Sequence, residues 1–210
     1  MKSTTYRTIV GWVALFAVVS CAPKKPPSPA TTQPLATPQD LPGLRNFAWV
    51  TPFLARGGQP SPTGFMQLQQ RGIKVVVDLR GGGHRDDVAP GMRYVQIPSN
   101  VSKPDLKQVV QFLKLVGEPQ NRPVFIHDEA GSDRVGLYVA AYRIVEQGWS
   151  EHDAVVELNG FNFNPYWSAI PDFLYHLDAA SVRAELSSPA TAPASQRSVG
   201  ASERISSSVR

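Results

Sequence analysis

One loop gathers most of the residues whose types and spacing could do chemistry: His127-Asp128-Glu129-Ala130-Gly131-Ser132-Asp133-Arg134-Val135-Gly136. Pro123-Val124-Phe125-Ile126-His127 before it has the apolar, β-branched character of a buried strand. Arg134–Gln147 after it carries Leu137, Val139, Ala140, Ala141, Ile144 and Val145 at helical spacing and stops at Gly148. A buried strand, a tight polar loop and a helix start bring free N–H groups and the positive end of a helix dipole to one point, which makes an anion site. Arg134 adds a planar cation suited to oxyanions. The three acids of the loop pull the other way. A carboxylate such as Asp128 can attack phosphorus, but such sites ordinarily use a divalent cation between the two negative partners. Asp128, Glu129 and Asp133 show no metal-ligand spacing, and consecutive acids at a turn are ordinarily just solvated, so neither a metal nor a cofactor is expected.

The single cysteine, Cys21, lies far from this loop and leaves no internal disulfide possible. Lys2 and Arg7 precede the apolar run Ile9–Val19, which has signal-peptide length and is too short for a spanning helix. Val18-Val19-Ser20-Cys21 resembles the processing box of bacterial lipoproteins, in which the signal is cut before a cysteine that then receives a diacylglycerol. The resemblance implies a signal peptide over 1–20 and membrane attachment through lipidated Cys21. With Ala22 rather than aspartate next, it implies the periplasmic face of the outer membrane if the cell is Gram-negative. Residues 22–40, rich in Pro, Ser and Thr, read as an extended, solvated tether. Residues 181–210, rich in Ser, Ala and Arg, read as a disordered tail.

The net charge of +4 belongs to these ends. Residues 1–40 carry +3 and 181–210 carry +2, which leaves −1 on 41–180. A near-neutral folded part lacks the clustered basic face that nucleic acid demands.

The elements that must position the loop alternate between strand and helix. Phe47–Val50 and Leu54–Arg56 read as short strands about a turn at Thr51-Pro52. Ser61 reads as an N-cap with Pro62 first in a helix that Gly72 stops. Ile73–Leu79 reads as a strand buried on both faces, and Tyr94–Pro98 as another strand. Asp105 opens a helix whose apolar face is Leu106, Val109, Val110, Leu113 and Val116. Two more helices are expected at Ser150–Leu158 and Pro171–Leu177. This order argues for an α/β domain over 41–180 with a mainly parallel central sheet flanked by helices.

The loop resembles the phosphate-binding loop of cysteine-dependent protein tyrosine and dual-specificity phosphatases, which reads His-Cys, two residues, Gly, two residues, Arg, then Ser or Thr. His127, Gly131, Arg134 and Gly136 fit by spacing, with Asp128 where the cysteine belongs. Three further stretches resemble the compact bacterial and fungal branch in the same order: Arg56-Gly57-Gly58-Gln59-Pro60-Ser61, Gly72–Arg80 and Tyr142–Ser150. Together they cover about residues 44–178 and imply a dual-specificity phosphatase fold.

In an active member a thiolate attacks phosphorus, the arginine holds the equatorial oxygens, and an aspartate on another loop protonates the leaving alcohol. This chain departs at Asp128, at Val135 in the hydroxyl position, and along Pro98–Pro104, where no carboxylate stands in the general-acid loop. Asp105 is the nearest acid, and helix capping explains it more simply. The resemblance therefore implies a lipoprotein with an impaired, pseudophosphatase-like domain. Asp128 would itself fill the anion site, held by loop N–H groups and Arg134, and the domain would bind a protein or, weakly, a phosphate-bearing ligand. The alternative is an active phosphatase with Asp128 as nucleophile on a phosphoester. The oligomeric state is not legible.

Among other residues, His127 reads as a brace of the loop. Asp78 reads as structural, bridging to Arg80 or capping a turn. His84-Arg85-Asp86-Asp87 reads as a mobile surface loop, and Phe161, Phe163, Tyr166 and Trp167 as an aromatic cluster closing the core.

Overall fold

The computed structural model describes residues 33–81 and 88–188. The expected signal segment, Cys21, the run His84–Asp87 and everything from residue 189 onward lie outside the described residues.

Among the described residues, six strands form one sheet: β1 (Gln39–Leu41), β2 (Leu44–Thr51), β3 (Leu54–Gly57), β4 (Val75–Asp78), β5 (Arg93–Gln96) and β6 (Val124–His127), in the spatial order β1-β2-β3-β6-β4-β5. The pairs β3–β6, β6–β4 and β4–β5 are parallel, and β1 and β2 join antiparallel at one side. Strict alternation splits the side chains of the central strands between two apolar clusters. Val75, Val77, Val124 and Ile126 face one cluster, Val76 and Phe125 the other. That is why 73–79 reads as a continuous apolar run rather than an alternating one.

The larger cluster is covered by α2 (Leu106–Gly117), α3 (Asp133–Glu146), α4 (Glu151–Asn159), α5 (Ala169–Tyr175) and α6 (Ala179–Ser187). The smaller is covered by α1 (Pro62–Gln70) through Phe65 and Leu68. Capping sets the starts of these helices. Ser61 accepts from the Gly64 N–H, Asp105 from the Lys107 N–H and Ser150 from the Asp153 N–H. The α/β fold with a mainly parallel sheet agrees with the sequence reading.

Two boundaries and one burial assignment differ. The tail expected from residue 181 is helical through Ser187, because Val182 is buried, Arg183 donates to the Val145 carbonyl and Asp178 caps the helix. The tether expected to be solvated through residue 40 is docked from Gln33 onward. The Trp149 indole donates to Gln33 Oε1, the Ala36 N–H donates to Glu157 Oε1, and Gln39–Leu41 pairs with β2. Leu106, assigned to the apolar face of α2, is instead exposed in its first turn. The aromatic cluster divides: Phe161 is fully buried, Phe163 and Trp167 pack against the core, and Tyr166 is 90% exposed.

Candidate functional site

The site lies where β6 ends and α3 begins, at the C-terminal ends of the parallel strands, where an open α/β sheet places its crevice. Asp128 follows β6 directly and is 3% exposed. Its Oδ1 accepts from the N–H groups of Ala130 (2.9 Å) and Gly131, and its Oδ2 from those of Arg134 (3.1 Å) and Val135 (3.4 Å). Four backbone donors thus converge on one carboxylate, two from the loop and two from the first turn of α3. The helix dipole adds to their attraction.

Behind the carboxylate the loop lies on bare backbone. Gly131 has φ +78°, a left-handed conformation that L side chains rarely adopt, and a Cβ there would lie 2.5 Å from the backbone of Gly57 and Gly58. From the other side, a Cβ at Gly58 would lie 3.1 Å from the Ala130 carbonyl, so the close approach favours glycine there too. The loop carbonyls are held from the same side. Glu129 O accepts from Arg45 Nη2 (2.7 Å) and the Gln59 N–H, and Gly131 O accepts from Arg56 Nη2 (2.8 Å) and Asn46 Nδ2 (3.1 Å).

Arg56 is fully buried, with its guanidinium stacked 3.6 Å over the Phe161 ring. Burial pulls its pKa down to about 9, while the charges of Glu157 and Asp128 oppose that fall, so it stays cationic at neutral pH. Arg143 and Glu157 form a buried pair at 2.6 Å nearby.

The remaining expected site residues scatter in role. His127 is fully buried, stacks on Phe125 and brings Nδ1 within 3.3 Å of the Asp128 carbonyl, as a brace would. Ser132 N-caps α3 by position, without a side-chain bond. The Glu129 side chain is largely exposed and lies 3.9 Å from Arg80. Asp133 Oδ1 accepts from the Asn164 N–H. The three acids thus face three different partners and do not converge. Arg134 corrects one expectation. Its backbone N–H, not its guanidinium, contacts Asp128, and its Nε donates to the Ser99 carbonyl at 3.1 Å. Ser99 belongs to Pro98–Pro104 and, with Asn100, Lys103, Asp105, Lys107 and Gln108, lines an adjoining cleft of about 640 Å³. Asp105, the acid next to that stretch in sequence, is exposed and caps α2.

Sequence reasoning missed Asn46 as a loop support and gave Arg56 no task. The usable signal for Arg56 was an arginine inside a short, otherwise apolar strand. Asn46 gave none, since its effect depends on a positive φ of 54°.

Comparison with known proteins agrees with this fold. The model of a family described as a DSP-PTPase phosphatase fused to NAD+ kinase matches residues 50–166. The dual specificity protein phosphatase TpbA of Pseudomonas aeruginosa is 28% identical over 151 residues, 71% of this chain and 65% of its own length, just under two thirds. A crystal structure of P. aeruginosa TpbA superposes with a TM-score of 0.65 at 25% identity, covering 75% of this chain and all of that one. A cysteine-to-serine form of TpbA in complex with phosphotyrosine gives 0.62, at 25% identity over 74% of this chain and 98% of that one. The catalytic core of the PP-IP phosphatase Siw14 from S. cerevisiae, 19% identical, gives 0.61 over 70% of this chain and 93% of that one, a likeness of fold alone.

Proposed function

Because the chain belongs to the dual-specificity-type tyrosine phosphatase family that includes domains fused to NAD+ kinase, we propose that it is a catalytically impaired member acting as a binding or regulatory module. Asp128 stands at the nucleophile position, and its carboxylate takes the seat that a substrate phosphate takes in active relatives. Cys21, lipidated, anchors the domain to the cell envelope, at the periplasmic face of the outer membrane in a Gram-negative cell. The partner is a protein, or a phosphate-bearing molecule held weakly at the same loop.

The observation that carries this reading is the set of four N–H donors already committed to Asp128. Hydrogen bonds to a charged group contribute on the order of 1.5–3 kcal/mol each. An incoming phosphate must displace them, and it also meets a repulsion of about 4 kcal/mol from the carboxylate at 4 Å and an effective dielectric of 20. Attack on phosphorus would further require an oxygen free of these bonds and aimed in line. Among the described residues along Pro98–Pro104 no carboxylate stands ready as a general acid, and Asp105 caps the helix that follows.

The test is turnover of an aryl phosphate by the purified chain, with mass spectrometry of residue 128 after incubation. Negligible turnover and an unmodified Asp128 are expected, with Arg134→Ala indistinguishable from the parent. Turnover abolished by both Arg134→Ala and Asp128→Ala, or a phosphoryl group trapped on Asp128, would replace this reading by that of an aspartate-dependent phosphatase.

A further inference from the structure

We propose that Asn46 is a positioning residue of the anion loop: through the Ala130 carbonyl it turns the Gly131 N–H into the seat, and through the Gly131 carbonyl it braces the loop from behind. The inference rests on the reading of that loop as an anion seat. Asn46 precedes the residues that the family model matches, at 50–166, and belongs to none of the motifs of the site.

A trans peptide is planar, so the carbonyl of one residue and the N–H of the next point in opposite directions. Fixing a carbonyl behind the loop therefore aims the following N–H into it. The Asn46 Nδ2 amide donates to Ala130 O (3.4 Å), Gly131 O (3.1 Å) and Phe161 O (3.2 Å), so two hydrogens are shared among three carbonyls. The Ala130 carbonyl governs the Gly131 N–H, which donates to Asp128 Oδ1. The Gly131 carbonyl, shared with Arg56, governs the Ser132 N–H. The neighbouring plane is held differently. The Glu129 carbonyl is fixed by Arg45 and Gln59, and it governs the Ala130 N–H.

Asn46 is kept in place at some cost. It is 8% exposed and has φ 54°, a conformation that Asn tolerates better than most residues. Its own N–H donates to Asp40 Oδ1 at 2.8 Å, so β1 locks it from the tether side. A buried amide that served β2 alone would need neither the left-handed backbone nor carbonyls from two distant loops. Its reach to Gly131 and Phe161 ties the loop to the segment after α4.

The experiment is amide hydrogen exchange with 1H–15N NMR on the full chain, comparing the parent with Asn46→Gly and Asn46→Asp. Glycine keeps the positive φ and removes the amide; aspartate keeps the shape and replaces the donor with an acceptor. In both variants the Gly131 N–H is expected to exchange at least about tenfold faster relative to Val139 of the α3 core, and to lose its downfield shift. The Ala130 N–H, aimed by Arg45 and Gln59, should change far less, and Arg45→Ala should reverse that pattern. Equal change at Ala130 and Gly131, no change at either, or acceleration only in step with Val139 would overturn the proposal. These outcomes are independent of phosphatase turnover, so an active enzyme would sink the functional reading without touching this one.

Discussion

Two buried aspartates sit side by side at the ends of neighbouring strands, and they are satisfied in opposite ways. Asp78 closes β4, in register with His127, and Asp128 follows one residue later on β6. Asp78 is held mainly by side chains: Arg80 Nε and Nη2 donate to it in a bidentate pair and the Tyr94 hydroxyl donates to Oδ2, with one backbone N–H, that of Arg80, beside them. Asp128 has backbone partners, four N–H groups. A carboxylate with its own guanidinium is a fixed ion pair of the fold. One held by converging N–H groups occupies, on the proposed reading, a seat that another oxyanion would also fit. On the proposed reading, the contrast separates structural burial of charge from a resident in a binding seat.

Perturbing the two residues should break the symmetry between them. The largest loss of stability is expected for Asp78→Ala, roughly 3 kcal/mol by urea denaturation, because removing one partner leaves a mostly buried guanidinium without its main counter-charge. Sulfate or phosphate should not restore it. Asp128→Ala should cost less, about 1–3 kcal/mol, since its donors are N–H groups that water or an anion can satisfy. Here added oxyanion should raise the Tm. An equal response of both variants to phosphate would erase the distinction.

A subtler difference appears in acid. Burial drives the Asp78 carboxyl upward, but bonds from the Arg80 side chain, the Tyr94 hydroxyl and the Arg80 N–H, with the charge of His127, outweigh it and hold the pKa below the ordinary 3.8. The stabilisation is complete above that ordinary value and is lost as pH falls through the lower folded one. Asp78→Asn should therefore flatten the acid limb of the stability profile measured by denaturant midpoints between neutral pH and pH 2. The smallest effect is expected for Tyr94→Phe, about 1 kcal/mol, with the Asp78–Arg80 pair intact.

How much of this was legible depends on the length scale of the signal. The strands around Val75–Asp78 and Val124–His127 were readable because a run of β-branched residues permits little else, and the helix starts because Ser61, Asp105 and Ser150 cap in sequence-local ways. The Asp78–Arg80 bridge was readable for the same reason, since its partners are two residues apart. The presence of Asp128 in an anion loop followed from strand, loop and helix order, and its carboxylate does turn into that loop. Arg134 was misjudged because its rotamer is decided by the Ser99 carbonyl, 35 residues away, which no spacing reveals. The start of the folded body was placed too late for a similar reason. Proline-rich composition speaks for an extended chain, but an extended chain can still dock, and Trp149 and Glu157 supply the partners. Helix α6 escaped notice because only Ala179 and Val182 are buried on it, too few for a periodic pattern.

The most direct test of the central claim, that the Asp128 carboxylate fills the anion seat, is calorimetric titration of the parent and of Asp128→Ala with tungstate. The parent should bind it poorly, and the variant at least about tenfold more tightly, a gain of 1.4 kcal/mol or more. Equal affinity in the two proteins would mean that the seat is not occupied by Asp128, and the account would fail at its root.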